Sequence, residues 1–237
     1  MSIARPRFYR NVSVLSGVRG YGVLLDGKPV KTPAGAVVEL PTEALAEAIA
    51  QEWRDQEGKV RSETMILTKL ANTALDRVAG DRALVSEQIL SFGRTDLVCY
   101  RAAEPVDLVK RQASAWDPLI EWLRRRHGVE LQTVSGLTYV EQKHDALRAL
   151  EAAVAGRNDF VLTALHAAAT LCGSLTIALA QTDGRLDAGE AMAAAQVDED
   201  YQAERWGKDP EMAAKQAAKS RELIEIGRLI ELLAPIA

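Results

Sequence analysis

From Phe8 to Leu40 apolar and polar positions tend to alternate, in FYRNVSVL, GYGVLLDGKPVKTP and AVVEL. Such alternation is the mark of strands with one buried face. Asp26-Gly27 separates two of these runs and predicts a hairpin, because both central residues of a type I′ turn need positive φ. Gly35 marks a second turn. So small an antiparallel sheet is stable only if something covers one face. Thr42 is a candidate N-cap for the helix that follows, in which Leu45, Ile49 and Trp53 recur every fourth residue as a buried stripe. That helix supplies the cover, and Trp53 is expected to be structural, anchoring it to the sheet.

Beyond Gly58 the spacing of apolar residues becomes helical. A second amphipathic helix can begin at Ser62 and bury Leu67, Leu70, Ala71, Ala74, Leu75 and Val78. Asp81 can cap a third, carrying Leu84, Val85, Ile89 and Leu90, with Gly93 as its stop and Thr95 to Tyr100 as a short apolar connection. Asp117-Pro118, inside a helical pattern from Val106 to Arg126, predicts a kink or break. Val129 to Val134 reads as a short strand or an extended link. Further helices are expected from about Val140 to Ala155, Asp159 to Ala180, Asp187 to Trp206 and Pro210 to about Leu233, with Gly156 and Gly207 at stops. The alanine-rich LTALHAAATLCGSL reads as the buried central helix of a bundle rather than a membrane span, its Gly173-Ser174 explained by tight packing. The fold class is α+β: a small N-terminal antiparallel sheet covered by a helix, then a larger all-helical domain. We place the domains at 1–62, a limit that could extend to about 80, and 63–237.

Composition adds mostly exclusions. With 48% apolar and 26% charged residues among 237, the chain is a globular protein. Its net charge of −4 offers no general attraction to nucleic acid, and the basic run Arg124 to Arg126 ends a helix where cations complement the dipole. Cys99 and Cys172 lie far apart and read as free thiols of a reducing compartment. His127, His144 and His166 form no pair at metal-ligand spacing. His144-Asp145 opens a polar helix start with no nucleophile to pair with it. The glycines from Gly17 to Gly22 join two strands instead of leading a strand into a helix, so they form a turn and not a phosphate loop. No catalytic residue, metal site, cofactor or membrane insertion is expected. MSIARPRFYR has no apolar signal core, so no presequence is expected either.

One stretch stands out as a surface. Val197 to Gly207, VDEDYQAERWG, closes a helix with four acids, two aromatics and an arginine. At about 100° per residue, Glu199, Gln202 and Trp206 share one side, with Glu199 and Trp206 only about 20° apart. Tyr201 and Val197 fall on the neighbouring apolar flank. An indole beside a carboxylate and an amide has the composition of an interaction patch. The competing reading is an ordinary amphipathic helix end with a solvated acidic face and a core tryptophan. The neighbouring acids Asp198, Glu199 and Asp200 point to different faces, so they form neither an acid–base pair nor a metal cage by themselves.

The ordered set RFYRNVSV, GYGVLLDGKPVKTP, ELPTEALAEAIAQEW, RTDLVCYR, WDPLIEW and EDYQAERWG resembles the chaperone family that assembles the F1 sector of ATP synthase, specifically assembly factor 2, which serves the alpha subunit. The resemblance runs from Phe8 to about Gly207. It implies a protein that binds the unassembled alpha subunit of F1-ATPase and shields the surface later covered by the beta subunit, without hydrolysing ATP. By position, the family's acidic-Tyr-Gln…Trp-Gly motif puts its acidic residue on Glu199, with Tyr201, Gln202, Arg205, Trp206 and Gly207 matching around it. Asp198 adds local negative charge, Gly207 is structural, and Trp53 matches the tryptophan that ends the first long helix. The segment from Pro210 to Ala237 matches no motif of the family. The expected location is the bacterial cytoplasm, or the mitochondrial matrix for a mature eukaryotic form. The alternative function is an enzyme with a site in the cleft between the two domains.

Overall fold

The structure, a computed structural model, describes residues 5–136, 138–207 and 209–234; expectations for the two chain ends lie outside the described residues. The chain packs as two compact units, one made of the residues up to Arg82 together with those from Arg228 on, the other of Ala83–Gly227.

In the first unit β1 (Arg5–Pro6) precedes the hairpin of β2 (Val12–Gly17) and β3 (Gly20–Leu25), and β4 (Lys28–Pro29) completes a three-stranded antiparallel sheet in the order β2-β3-β4. Asp26 and Gly27 take φ of 48° and 78°, the conformation expected of the turn between β3 and β4. The Asp26 carboxylate accepts bonds from the backbone N–H groups of Asn11 and Arg10, which hold its pKa below the usual carboxylate range. Gly20 sits so close to the chain after the sheet that a Cβ would lie 2.4 Å from the Leu40 carbonyl oxygen. Only glycine lets Tyr21 and Leu40 exchange their two backbone hydrogen bonds there.

The cover is α1 (Glu43–Arg54), capped by the Thr42 hydroxyl, which accepts from Leu45 N–H. Leu45 and Ile49 are buried, as are Val23 and Leu25 of the sheet and Val38 and Leu40 after it. Trp53 is half-buried, its ring 5.6 Å from that of Tyr9 in an edge-on pair, and the Tyr9 hydroxyl donates to the Trp53 carbonyl. After β5 (Lys59–Val60), which pairs with β1, Ser62–Thr64 make a single 3₁₀ turn, so the next helix starts later than the Ser62 cap predicts. Its cap comes from another element. The Glu52 carboxylate accepts from Leu67 N–H, Thr68 N–H and the Thr68 hydroxyl, closing the N-terminus of α2 (Ile66–Thr73). The chain continues through one wider turn, Ala74–Val78.

In the second unit α3 (Arg82–Arg94) runs through Gly93 instead of stopping at it. Gly93 is a packing position, where a Cβ would lie 2.6 Å from Leu150 Cδ1 and 3.2 Å from Leu175 Cδ2. A 3₁₀ turn, Leu97–Cys99, leads into β6 (Tyr100–Arg101), which pairs in parallel with β7 (Val134–Ser135). Between them α4 (Val106–His127) passes through Pro118 as one helix, so of the expected kink or break the break does not occur. Pro118 and Ser114, whose carbonyl loses its partner, are both exposed, while Trp116, Leu119 and Leu123 hold the inner side.

After α5 (His144–Ala155), the expected helix from Asp159 to Ala180 is two, α6 (Asp159–Cys172) and α7 (Leu175–Thr182). Gly173, at φ 65°, ends the first, and Ser174 caps the second by accepting from Ile177 N–H. The break, rather than tight packing, explains that pair. Every residue of α7 is buried, so the centre of the bundle is this short helix. The break is held by Asp96, which is fully buried: its carboxylate accepts from the Ser174 and Thr176 hydroxyls and from Thr176 and Val98 N–H. Burial raises its pKa despite these four bonds.

The expected helix from Asp187 to Trp206 also divides, at Gln196, into α8 (Ala188–Ala195) and α9 (Val197–Trp206). The break puts Asp198, Glu199 and Asp200 in a first turn, where negative charge complements the helix dipole. The last helix is α10 (Pro210–Leu233). No helix among the described residues is long and apolar enough to cross a membrane.

Candidate functional site

Helix α9 is amphipathic in an unequal way. Its inner side is tied to α4. Gln112 on α4 donates to Asp198 at 2.7 Å while its own carbonyl oxygen accepts from Ala102 N–H. The Trp116 indole N–H donates to the Ala194 carbonyl at the end of α8. Arg111 grips Glu204 with two bonds of 2.8 and 2.6 Å. Arg205 reaches Asp107 at 3.5 Å. Tyr201 is only 5% exposed and lies under two guanidiniums, Arg205 at 4.3 Å and Arg111 at 5.3 Å from its ring centre.

The outer side has none of this. Glu199 and Gln202 are exposed, and Trp206 is 78% exposed; among the described residues none of the three has an ion pair, hydrogen bond or ring contact. Glu199 and Trp206 lie nearly in line along the helix, about 10 Å apart in rise. This side of α9 thus presents a solvated indole beside an exposed carboxylate and an exposed amide. Gly207, at φ 90°, ends the helix with its N–H on the Ala203 carbonyl, and Met212, 41% exposed, follows on α10.

Of the residues singled out in the sequence, Glu199, Gln202 and Trp206 are thus brought together on one open face. Asp198, Tyr201 and Arg205 sit on the side that meets α4, where they position the helix. Gly207 and Trp53 occupy a helix end and an aromatic pair respectively. The helical wheel could not reveal Arg111 and Gln112 as the residues that choose which face turns inward. Their only local signal is that two long polar side chains stand one after the other in a helix that is otherwise amphipathic.

Burial pushes the thiols of Cys99 and Cys172 up to about 12, so neither is a thiolate near neutral pH. Among the described residues no cluster of three or more His, Cys, Asp or Glu side chains could hold a metal ion.

A family model described as the ATP12 chaperone protein matches residues 6–124. The mitochondrial protein atp12 of Schizosaccharomyces pombe is 27% identical over 213 residues, which cover 85% of this chain and 73% of that protein. The crystal structure of Atp12 from Paracoccus denitrificans is similar with a TM-score of 0.92 and 40% identity, covering 97% of this chain and 99% of that one. A crystal structure from Agrobacterium tumefaciens gives a TM-score of 0.93 at 36% identity, covering 98% of this chain and 87% of that one.

Proposed function

The chain belongs to the ATP12 chaperone family, assembly factors of ATP synthase and not enzymes, and from that premise we propose that it binds the unassembled alpha subunit of the F1 sector and covers the surface the beta subunit later takes. The contact is made by the outer face of α9, with Trp206 supplying apolar area and Glu199 and Gln202 fixing register against basic or amide groups of the partner. Bacterial cytoplasm is the compartment of this work, or the mitochondrial matrix for a mature eukaryotic form.

One observation carries the reading. Polar side chains on the inner flank of α9 are engaged by α4, whereas Glu199, Gln202 and Trp206 are exposed and without partners among the described residues. A charge reversal on the open face should therefore spare folding and strike binding.

The test compares Glu199→Lys with a reversal that touches no partner. Glu204→Lys is unsuitable as that control, although it lies about 140° away on the wheel, because it would set a lysine against Arg111. Glu141→Lys is suitable, being exposed with no ion pair among the described residues. Glu199→Lys is expected to lose no more stability than one reversed charge in the first turn of α9 accounts for, about 1 kcal/mol, yet fail to keep the alpha subunit soluble on co-expression, while Glu141→Lys retains both properties. A Glu199→Lys protein that binds as the parent does, or that is destabilised well beyond that amount, refutes the assignment.

A further inference from the structure

The second unit carries a groove that the α9 face does not use. It has a volume of about 550 Å³ and is lined by Pro118, Glu121, Trp122, Arg125 and Arg126 of α4 and by Arg185 from the turn after α7. Its walls are fixed from behind. Asp183 is held by Arg157 at 2.6 Å and His127 at 2.8 Å, and the His127 ring packs edge-on against Trp122 with centres 5.5 Å apart. Gly184, at φ 73°, ends α7 with its N–H on Gln181, and Arg185 N–H reaches back to the Ala180 carbonyl. That pair of bonds is the Schellman arrangement, which sets where the Arg185 side chain leaves the backbone.

The charges of the groove do not balance. Glu121 accepts from both Arg124 and Arg125, whose guanidiniums hold its carboxyl down at about 2, so it is committed to them at any ordinary pH. Arg126 and Arg185 are exposed and have no acidic partner among the described residues. In a chain of net charge −4, two uncompensated guanidiniums at the rim of one groove, with an indole and a proline ring as its apolar lining, call for an anion that also has an apolar part.

We propose that this groove docks an acidic peptide segment of a protein partner, one carboxylate taken between Arg126 and Arg185 and a neighbouring apolar side chain laid on Trp122 and Pro118. A carboxylate fits better than a phosphate. Phosphate sites draw on free backbone N–H groups at helix N-termini, whereas here the N–H groups of Gly184 and Arg185 are already used. The α4 residues of the groove also lie toward that helix's C-terminal end, where the dipole is negative and opposes a multiply charged anion. The groove is open to solvent rather than enclosed, which suits a chain segment lying across it.

The probe is a fluorescein-labelled peptide with two glutamates flanking a leucine, titrated with the full chain and followed by anisotropy, beside the same peptide carrying glutamines. Saturable binding of the acidic peptide, weakened by added salt and absent for the glutamine version, is expected. The double variant Arg126→Gln/Arg185→Gln should weaken it at least about tenfold, while the melting temperature falls by no more than the loss of one cation from the last turn of α4 allows. Glu199→Lys should leave it unchanged, which separates this site from the α9 face. No saturable binding, equal binding by the double variant, loss of binding in Glu199→Lys, or displacement by inorganic phosphate would each overturn the proposal.

Discussion

Removing the Asp96 carboxylate should be among the most damaging single changes in the second unit, and its cost can be worked from the hydrogen bonds. Asp96→Ala strips the acceptor from four donors at once: Val98 N–H at 3.2 Å, Thr176 N–H at 2.8 Å, the Thr176 hydroxyl at 2.8 Å and the Ser174 hydroxyl at 2.5 Å. Hydroxyls can rotate toward other acceptors, but the two backbone N–H groups cannot. At about 1–3 kcal/mol for each buried donor left unmet, the loss is about 2–6 kcal/mol. Asp96→Asn keeps one carbonyl oxygen and should cost less. The assay is urea unfolding monitored by tryptophan fluorescence, with melting temperature as a second readout. Because burial raises the folded pKa of this carboxyl, the folded state takes up its proton more readily than the unfolded one. Its contribution therefore grows as pH falls between the folded pKa and the lower unfolded one, and over that window the gap between parent and Asp96→Ala should widen with acid. A loss under about 1 kcal/mol, or a gap that narrows with acid, would refute the account of Asp96 as the clamp between the 3₁₀ turn and α7.

Gly93→Ala should destabilise by about 1–3 kcal/mol, since the new Cβ falls on Leu150 and Leu175 side chains in the packed interior; a melting temperature equal to the parent's would show that those side chains give way freely. Trp53→Arg should cost about 2–4 kcal/mol by breaking the edge-on pair with Tyr9 and placing a charge in a half-apolar site, and a variant as stable as the parent in thermal melts would contradict that. Calorimetry with ATP and magnesium should show no saturable heat, in keeping with a chaperone that does no nucleotide chemistry.

How far the sequence reveals this fold depends on the range of the interaction that decides each element. The Asp26-Gly27 turn, the Thr42 cap and the Leu45 and Ile49 stripe are settled within a few residues, and the structure has each where the pattern puts it. Breaks at Gly173-Ser174 and Gln196 interrupt alanine-rich stretches whose periodicity is satisfied by one long helix as well as by two. What selects two is distant: Asp96, 78 residues before Ser174, accepts the donors that a second helix start exposes. Glu52 does the same for α2 from 15 residues away, so Ser62 as a local cap is the wrong partner. Gly93 follows the same logic, because a glycine facing leucines from two other helices is indistinguishable in sequence from a glycine that ends its own.

The candidate site divides along that line too. A wheel drawn on residues 197–206 groups Glu199, Gln202 and Trp206 without any structure, since only the helical repeat is needed. Which side of the wheel faces water is a tertiary fact, fixed here by Arg111 and Gln112 on α4 gripping Glu204 and Asp198. Tyr201 and Arg205 share a motif with Trp206, yet one is buried under guanidiniums and the other leans toward Asp107, while the indole stands in solvent. A motif that mixes residues holding a helix in place with residues left open has two reasons to keep its spacing. Substitutions should separate them: changes at Tyr201 or Arg111 should lower melting temperature along with binding, whereas changes at Glu199 or Trp206 should lower binding alone.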